Sequence, residues 1–326
     1  MARLVLASPA QIDRITRETH ALWGGGLSYP AYRDLWDELG RSAWATKYAR
    51  YHVWQDDGGR VLSSLKLYRP MLRVGTRQGR ASVLGAVFTP SRLRRRGHAA
   101  DALRAELEES ERVGDLAALL FSDIGTQYYS RFGFRPLPAL EQVGRLPPAP
   151  EWLSAGLSLR PAESADLARL ALAHEASSAR RSLAVVRDRE HWEFLWIRSR
   201  SYFSRAEDPG IQHDWRLAYR GDAFAGYVIA VLAGGDWSVR EVGAADGQPR
   251  TMIEILRHAG ALAYRGGARR VYGWLPAELL PGLEEWRLRG TTRRRAVPMF
   301  RLLDPQIDPA LLAPPADTHI PFQDQF

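Results

Sequence analysis

Residues 83–104, VLGAVFTPSRLRRRGHAADALR, place a basic turn between a strand pattern and a helix pattern. The first residues are apolar and β-branched and end at Phe88. Thr89-Pro90-Ser91 turns the chain, and Arg94-Arg95-Arg96-Gly97-His98-Ala99 leads straight into a helix rich in Ala, Leu and Glu. A strand, a tight basic turn and a helix N-terminus in that order make an anion site. The N–H groups of the first helical turn have no intrahelical acceptor, and the macrodipole adds positive potential. Gly97 lets the backbone approach a bulky anion, and Ala99 keeps the helix start slim. A pyrophosphate is the natural guest. Taken without their flanks, Arg92 to Arg96 read equally well as a solvated basic turn.

A second group of chemical residues follows. Residues 121–134, FSDIGTQYYSRFGF, come after a short apolar strand pattern and bring Tyr128, Tyr129 and Phe132 together before Gly133-Phe134. In isolation these rings are core residues, and Gly133 ends a helical turn.

Both segments resemble those of one family. Arg94-x-x-Gly97-x-Ala99 is similar to the Arg/Gln-x-x-Gly-x-Gly/Ala loop of the GNAT acetyltransferase superfamily. Tyr128-Tyr129-Ser130-Arg131-Phe132-Gly133-Phe134 resembles its aromatic-Tyr-x-x-x-Gly-Phe segment, and it follows at the family's spacing. The loop pattern alone is degenerate, since Arg240-x-x-Gly243-x-Ala245 also fits it, but that match lies within and just after a strand pattern. The resemblance implies acetyl-CoA as co-substrate and no metal. It implies that the backbone of Ala86, Val87 and Phe88 pairs with pantetheine, with an N–H near Val87 facing the thioester oxygen. It places the pyrophosphate on Arg94 and on the amides of Arg95, Arg96, Gly97, His98, Ala99 and Ala100. Tyr129 aligns with the tyrosine that protonates the departing thiolate. The acceptor is then a primary amine of a small molecule or a peptide lysine. His20, His52 and His98 are candidate bases by type, with a water relay as the alternative.

These residues need elements to hold them. Ser8 caps a helix that Trp23-Gly24-Gly25-Gly26 breaks, and residues 32–39 form a second, short helix. Strands are expected at 48–54, 61–67 and 82–88, the first two joined by a turn at Asp56-Asp57-Gly58-Gly59. A helix at 99–112, a strand at 116–121 and a helical turn at 128–132 complete the unit. After a Pro-rich stretch the order recurs: helix 164–177, strands 215–219, 224–231 and 237–242, helix 251–264 and strand 270–275. This predicts an α/β (α+β) chain of tandem GNAT folds, each with a mixed, mostly antiparallel central sheet flanked by helices. The expected boundaries are a catalytic domain at 1–145, a linker at 146–157, a degenerate GNAT-like domain at 158–302 and a tail at 303–326. The second half lacks a loop of its own, because a match starting at Gln248 would need glycine where Thr251 stands.

The two-unit plan resembles the Eis-type acetyltransferases without their third, sterol-carrier-like domain. It is also similar to the Lyc-type lysine acetyltransferases. In the Eis type the terminal carboxylate serves as a base, and the resemblance offers Phe326 for that part. A non-catalytic acyl-CoA-binding scaffold is the alternative, though retention of Tyr129 argues against it. The chain has no cysteine, which excludes disulfides and thiolate chemistry and fits a reducing cytoplasm. No apolar run is long enough to span a bilayer, so no membrane partner is expected. The net charge of +8 invites a nucleic-acid reading. Against it, the arginines are spread along the whole chain, and Lys47 and Lys66 are its only lysines.

Overall fold

Three serines start the first three helices of the computed structural model, which describes residues 1–148, 156–206, 210–312, 318–321 and 324. The side chains of Ser8, Ser28 and Ser42 accept from the amides of Gln11, Ala31 and Ala45, each the third residue of its helix. Gln11 returns a bond to the Ser8 amide and closes a capping box. The expected break after Trp23 is present, with Gly24 as the helix C-cap.

In chain order the elements are β1 (Arg3–Leu6), α1 (Pro9–Trp23), α2 (Tyr29–Gly40), α3 (Ala43–Tyr48), β2 (Ala49–Gln55), β3 (Val61–Tyr68), β4 (Met71–Val74), β5 (Arg77–Phe88), α4 (His98–Arg112), β6 (Ala117–Ser122), α5 (Gln127–Ser130) and β7 (Arg135–Pro136). There follow β8 (Leu140–Arg145), β9 (Ser158–Pro161), α6 (Leu167–Ser178), β10 (Leu183–Val186), α7 (Arg189–Arg205), β11 (Gln212–Arg220), β12 (Ala223–Ala233), β13 (Asp236–Ala244), α8 (Pro249–Arg265), β14 (Arg270–Gly273), β15 (Arg289–Thr292) and β16 (Val297–Leu302).

Two sheets result. The first runs β1-β2-β3-β5-β6-β16-β7, with β4 joined to β5 as a hairpin; the second runs β9-β11-β12-β13-β14-β8-β15. The two orders match position by position, and along each order one pair is parallel, β5 with β6 and β13 with β14, among antiparallel ones. Duplication of one mixed sheet is therefore visible in the topology as well as in the order of elements.

The sixth strand of each sheet departs from the expected boundaries. β16, which follows the second sheet in sequence, lies in the first sheet between β6 and β7, whereas β8 lies in the second sheet between β14 and β15. Accordingly the first unit comprises Met1–Leu137 with Arg294–Leu311, and the second comprises residues 138–293 with the described tail residues 318–321 and 324. The expected cuts after 145 and 302 thus leave β8 with the first unit and β16 with the second, whereas each completes the other sheet. Leu146, expected in a linker, is 4% exposed and belongs to the second core. Residues 149–155 of that expected linker lie outside the described residues.

Strand alternation in the first sheet separates two apolar layers. Leu65, Leu67, Leu84 and Leu120 meet Leu103 and Leu107 of α4 together with Tyr129, Phe132, Phe134 and Met299. On the other face, Val53, Val61 and Phe88 pack with Ile15 of α1. Truncating one of these buried leucines to alanine costs about 2–5 kcal/mol, which makes α4 and the strand beneath it a rigid platform.

Candidate functional site: a splayed strand pair and a helix N-terminus

The site begins where β5 stops pairing. Its parallel register with β6 runs only from Ala81 opposite Ala117 to Leu84 opposite Leu120. Beyond that point β5 continues to Phe88 and β6 to Ser122, and no backbone pairing joins residues 85–88 to residues 121–122. On its other edge, β5 carries a bulge. Lys66 of β3 opposes Gly85 and Ser64 opposes Phe88, so Ala86 and Val87 share the single partner position of Leu65. Ala86 has φ +47°, left-handed and unfavourable for a residue with a Cβ. The bulge leaves Ala86 and Val87 without ladder partners of their own on β3, and the splay leaves residues 85–88 unpaired on the β6 side.

The turn after Phe88 ends in the start of α4. A single 3-10 turn, Ser91–Leu93, leads to Arg94 in an extended conformation, Arg95 at φ +63° and Gly97 at φ +86°. Gly97 is the N-cap residue of α4, and without a side chain it caps none of the helix amides. The first helical bond runs from the Asp101 amide to the Gly97 carbonyl. Among the described residues no group accepts from the amides of Arg95 to Ala100. Arg95 and Arg96 are exposed, whereas Arg94 is tied down by a 3.1 Å bond from its Nε to the Thr89 carbonyl. Gly97 is required by its backbone angle rather than by crowding, because a Cβ there would meet nothing nearer than Asp101 Oδ2 at 3.9 Å. Ala86 and Arg95 are two of four non-glycine residues with positive φ among the described residues. Such strain gathers where surroundings over-determine the backbone.

Tyr129 stands beside this loop. It is 8% exposed and shares a core cluster with Leu84 and Leu120 at the end of the parallel pairing, and with Val87 and Ala100 at its margin. Its ring packs edge-on against Tyr128 and Phe134, with centroids 5.0 and 6.3 Å away. Burial, and to a lesser degree Tyr128 and Asp123, push its hydroxyl up to about 12, so it is fully protonated at neutral pH. The hydroxyl has no hydrogen-bond partner among the described residues and is not sealed from solvent. Gly133 at φ +80° ends the turn behind it.

The candidate bases fare differently. His20 has its Nε2 2.8 Å from the Leu27 carbonyl and ties down the loop after α1. His52 holds the fully buried Glu106 through Nδ1 at 2.5 Å. His98 is the first residue of α4. Phe326 lies outside the described residues. Among the described residues no group of three or more His, Asp or Glu is placed to hold a metal, and no helix is long and apolar enough to cross a membrane.

A different set of residues, unmarked by any motif, lies on the opposite face of the sheet. Lys66 Nζ sits 3.0 Å above the Trp36 ring and 5.4 Å from that of Tyr51. The one available sequence signal was that Lys66 is one of two lysines.

The second unit treats the corresponding positions otherwise. α8 follows β13 as α4 follows β5, yet its N-terminus is occupied by the chain itself. Asp246 accepts from the Gln248 amide at 2.9 Å and from Thr251 Oγ1 at 2.7 Å, and Pro249 removes one donor from the first turn. Past the end of β14, the Leu275 amide donates to Gln142 Oε1 and the Trp274 carbonyl contacts His319 Nε2. The decoy match at Arg240 lies inside β13, where a Cβ on Gly243 would lie 2.4 Å from the Tyr227 ring.

Residues 20–137 match the family model described as an acetyltransferase (GNAT) domain. Among solved structures the chain resembles a probable N-acyltransferase, a conserved protein of unknown function, from Enterococcus faecalis V583, at 12% identity and TM-score 0.70, over 94% of this chain and 74% of that one. It resembles a GCN5-related N-acetyltransferase from Kribbella flavida at 22% identity and TM-score 0.65, over 93% and 72%. It also resembles Eis1 from Mycobacterium abscessus at 16% identity and TM-score 0.60, over 93% and 74%. At such identities the likeness is one of fold. No curated protein matches the chain by sequence.

Proposed function

From the match of residues 20–137 to the GNAT acetyltransferase domain model, we propose that the first unit transfers the acetyl group of acetyl-CoA directly to a primary amine. The acceptor is a small molecule or a lysine side chain, and the cysteine-free chain suits work in a reducing cytoplasm. The observation that carries the reading is the splay of β5 from β6 beside a helix N-terminus with unclaimed amides.

The pyrophosphate would rest on the amides of Arg95 to Ala100, with Arg94, Arg95 and Arg96 adding positive charge. The pantetheine would run along residues 86–88, where β5 is unpaired on its β6 side and the bulge at Ala86 and Val87 interrupts the ladder with β3. An N–H near Val87 would stabilise the oxyanion as the neutral amine attacks the thioester carbonyl. As the C–S bond breaks, Tyr129 would give its proton to the thiolate. Burial keeps the Tyr129 hydroxyl protonated at neutral pH, so the proton is there to be given. The second unit, whose equivalent helix start is filled by Asp246, would bind no coenzyme A and serve as scaffold.

The test is Tyr129→Phe, assayed by coenzyme A release with a panel of primary amines. The expected result is a kcat about 100-fold lower with acetyl-CoA affinity unchanged. An unaltered kcat would remove Tyr129 from the mechanism.

A further inference from the structure

Lys66 is an amine without a carboxylate partner among the described residues. Its Nζ lies against the Trp36 and Tyr51 rings. The residue is only partly buried, and its Nζ is not sealed. Lys47, on α3, is exposed. The position of Lys66 is also specific. On β3 it opposes Gly85, the residue at which β5 leaves β6 and enters its bulge. The anion cradle belongs to α4, which covers the face bearing Leu65 and Leu67. Lys66 alternates with these residues and projects from the other face, where Tyr51 lies. A flexible arm anchored at the cradle and threaded through the splay would therefore end on the Lys66 side.

We propose that Lys66 is itself an acyl acceptor: the protein acetylates its own Lys66 from bound acetyl-CoA. This rests on the acetyl-CoA reading above. The Nζ lone pair attacks the thioester carbonyl carbon and forms the C–N bond. The C–S bond breaks, the thiolate takes the Tyr129 proton, and the proton lost from nitrogen restores Tyr129 through water. The products are an Nζ-acetyl-lysine and coenzyme A, with no further reactant. Burial holds the amine down to about 7, so a large fraction is neutral and nucleophilic at cellular pH, where an ordinary lysine is almost wholly protonated.

The test is peptide mass spectrometry of the full chain after incubation with acetyl-CoA, from pH 6 to 10. Calorimetry of acetyl-CoA binding is run on the same preparation. The expected result is one acetyl group on Lys66, formed at least about tenfold faster than on Lys47 and levelling above pH 7. It should fall about tenfold or more in Gly97→Glu and be absent in Lys66→Arg. Acetyl-CoA binding without Lys66 acetylation would overturn this inference and leave the transfer reading standing. Equal rates in wild type and Gly97→Glu would also overturn it, as uncatalysed chemistry. Absence of acetyl-CoA binding would overturn both.

Discussion

At the scale of single residues, backbone angle and burial decide what each group can do. Gly97 is glycine because φ is +86°, and the missing side chain leaves the helix amides unclaimed. Tyr129 is both a core residue and a chemical one. Its ring is packed among Tyr128, Phe132 and Phe134, while its hydroxyl keeps access to solvent. Removing that hydroxyl should therefore cost catalysis far more than stability. In the second unit the same physics acts on histidines. Burial pushes His213 and His319 down to about 3 and holds His191 well below its ordinary value. Their folded pKa values lie below the unfolded one, so the unfolded chain binds the extra protons. Stability is intact above about pH 6.5 and falls as pH drops, by about 1.4 kcal/mol per pH unit for each histidine. His319→Gln should reduce that slope by one proton's worth between pH 6 and 5 in denaturant titrations; an unchanged slope would mean that His319 is not held neutral.

At the scale of elements, the segments that carry chemistry were the most legible. The expected helix at 99–112 and the strand at 82–88 are α4 and the end of β5, because a β-branched run, a turn and an Ala/Leu/Glu-rich run each have one local solution. The bulge was not expected, and open backbone at residues 86–88 was expected from resemblance alone, since no local pattern encodes where two parallel strands part. Other elements were hidden for physical reasons. α7 buries His191, Ser199 and Ser201 along with Trp192 and Phe194, so its inner face shows no clean apolar stripe. β16 contains Pro298, a residue that argues against an inner strand. Its carbonyl still accepts from the Leu137 amide. α3, β4 and β15 are too short for any period to show.

At the scale of the whole molecule, the boundaries were misplaced because sequence order hides an exchange of strands. The first sheet is completed by β16 and the second by β8. Met299 and Phe300 of β16 are 0% and 4% exposed. Losing either side chain would cost about 2–5 kcal/mol, against a total stability of about 5–15 kcal/mol for an ordinary domain. A chain ending at residue 293 should therefore lose cooperative unfolding of the first unit, and acetyl-CoA binding with it; normal binding by that fragment would show β16 to be dispensable. The second unit is tied together by a buried ionic cluster. Arg187, fully buried, pairs with Glu241 at 2.9 Å and with Asp324 at 2.7 Å, and so fixes the tail close to its end. Breaking such a pair from one side leaves an uncompensated buried charge, so Asp324→Ala should destabilise the second unit by about 3–5 kcal/mol in chemical unfolding. An effect near zero would mean that Glu241 alone satisfies Arg187.

The central claim is that the start of α4 holds the pyrophosphate of acetyl-CoA, and calorimetric titration of acetyl-CoA into wild type and Gly97→Glu tests it most directly. A glutamate at Gly97 puts a negative charge and a side chain at the mouth of the cradle, where nothing lies within 3.9 Å of its Cβ. Saturable binding by wild type, lost in Gly97→Glu while thermal unfolding stays cooperative, is the result the account predicts. Equal binding by both proteins, or none by wild type, would contradict it.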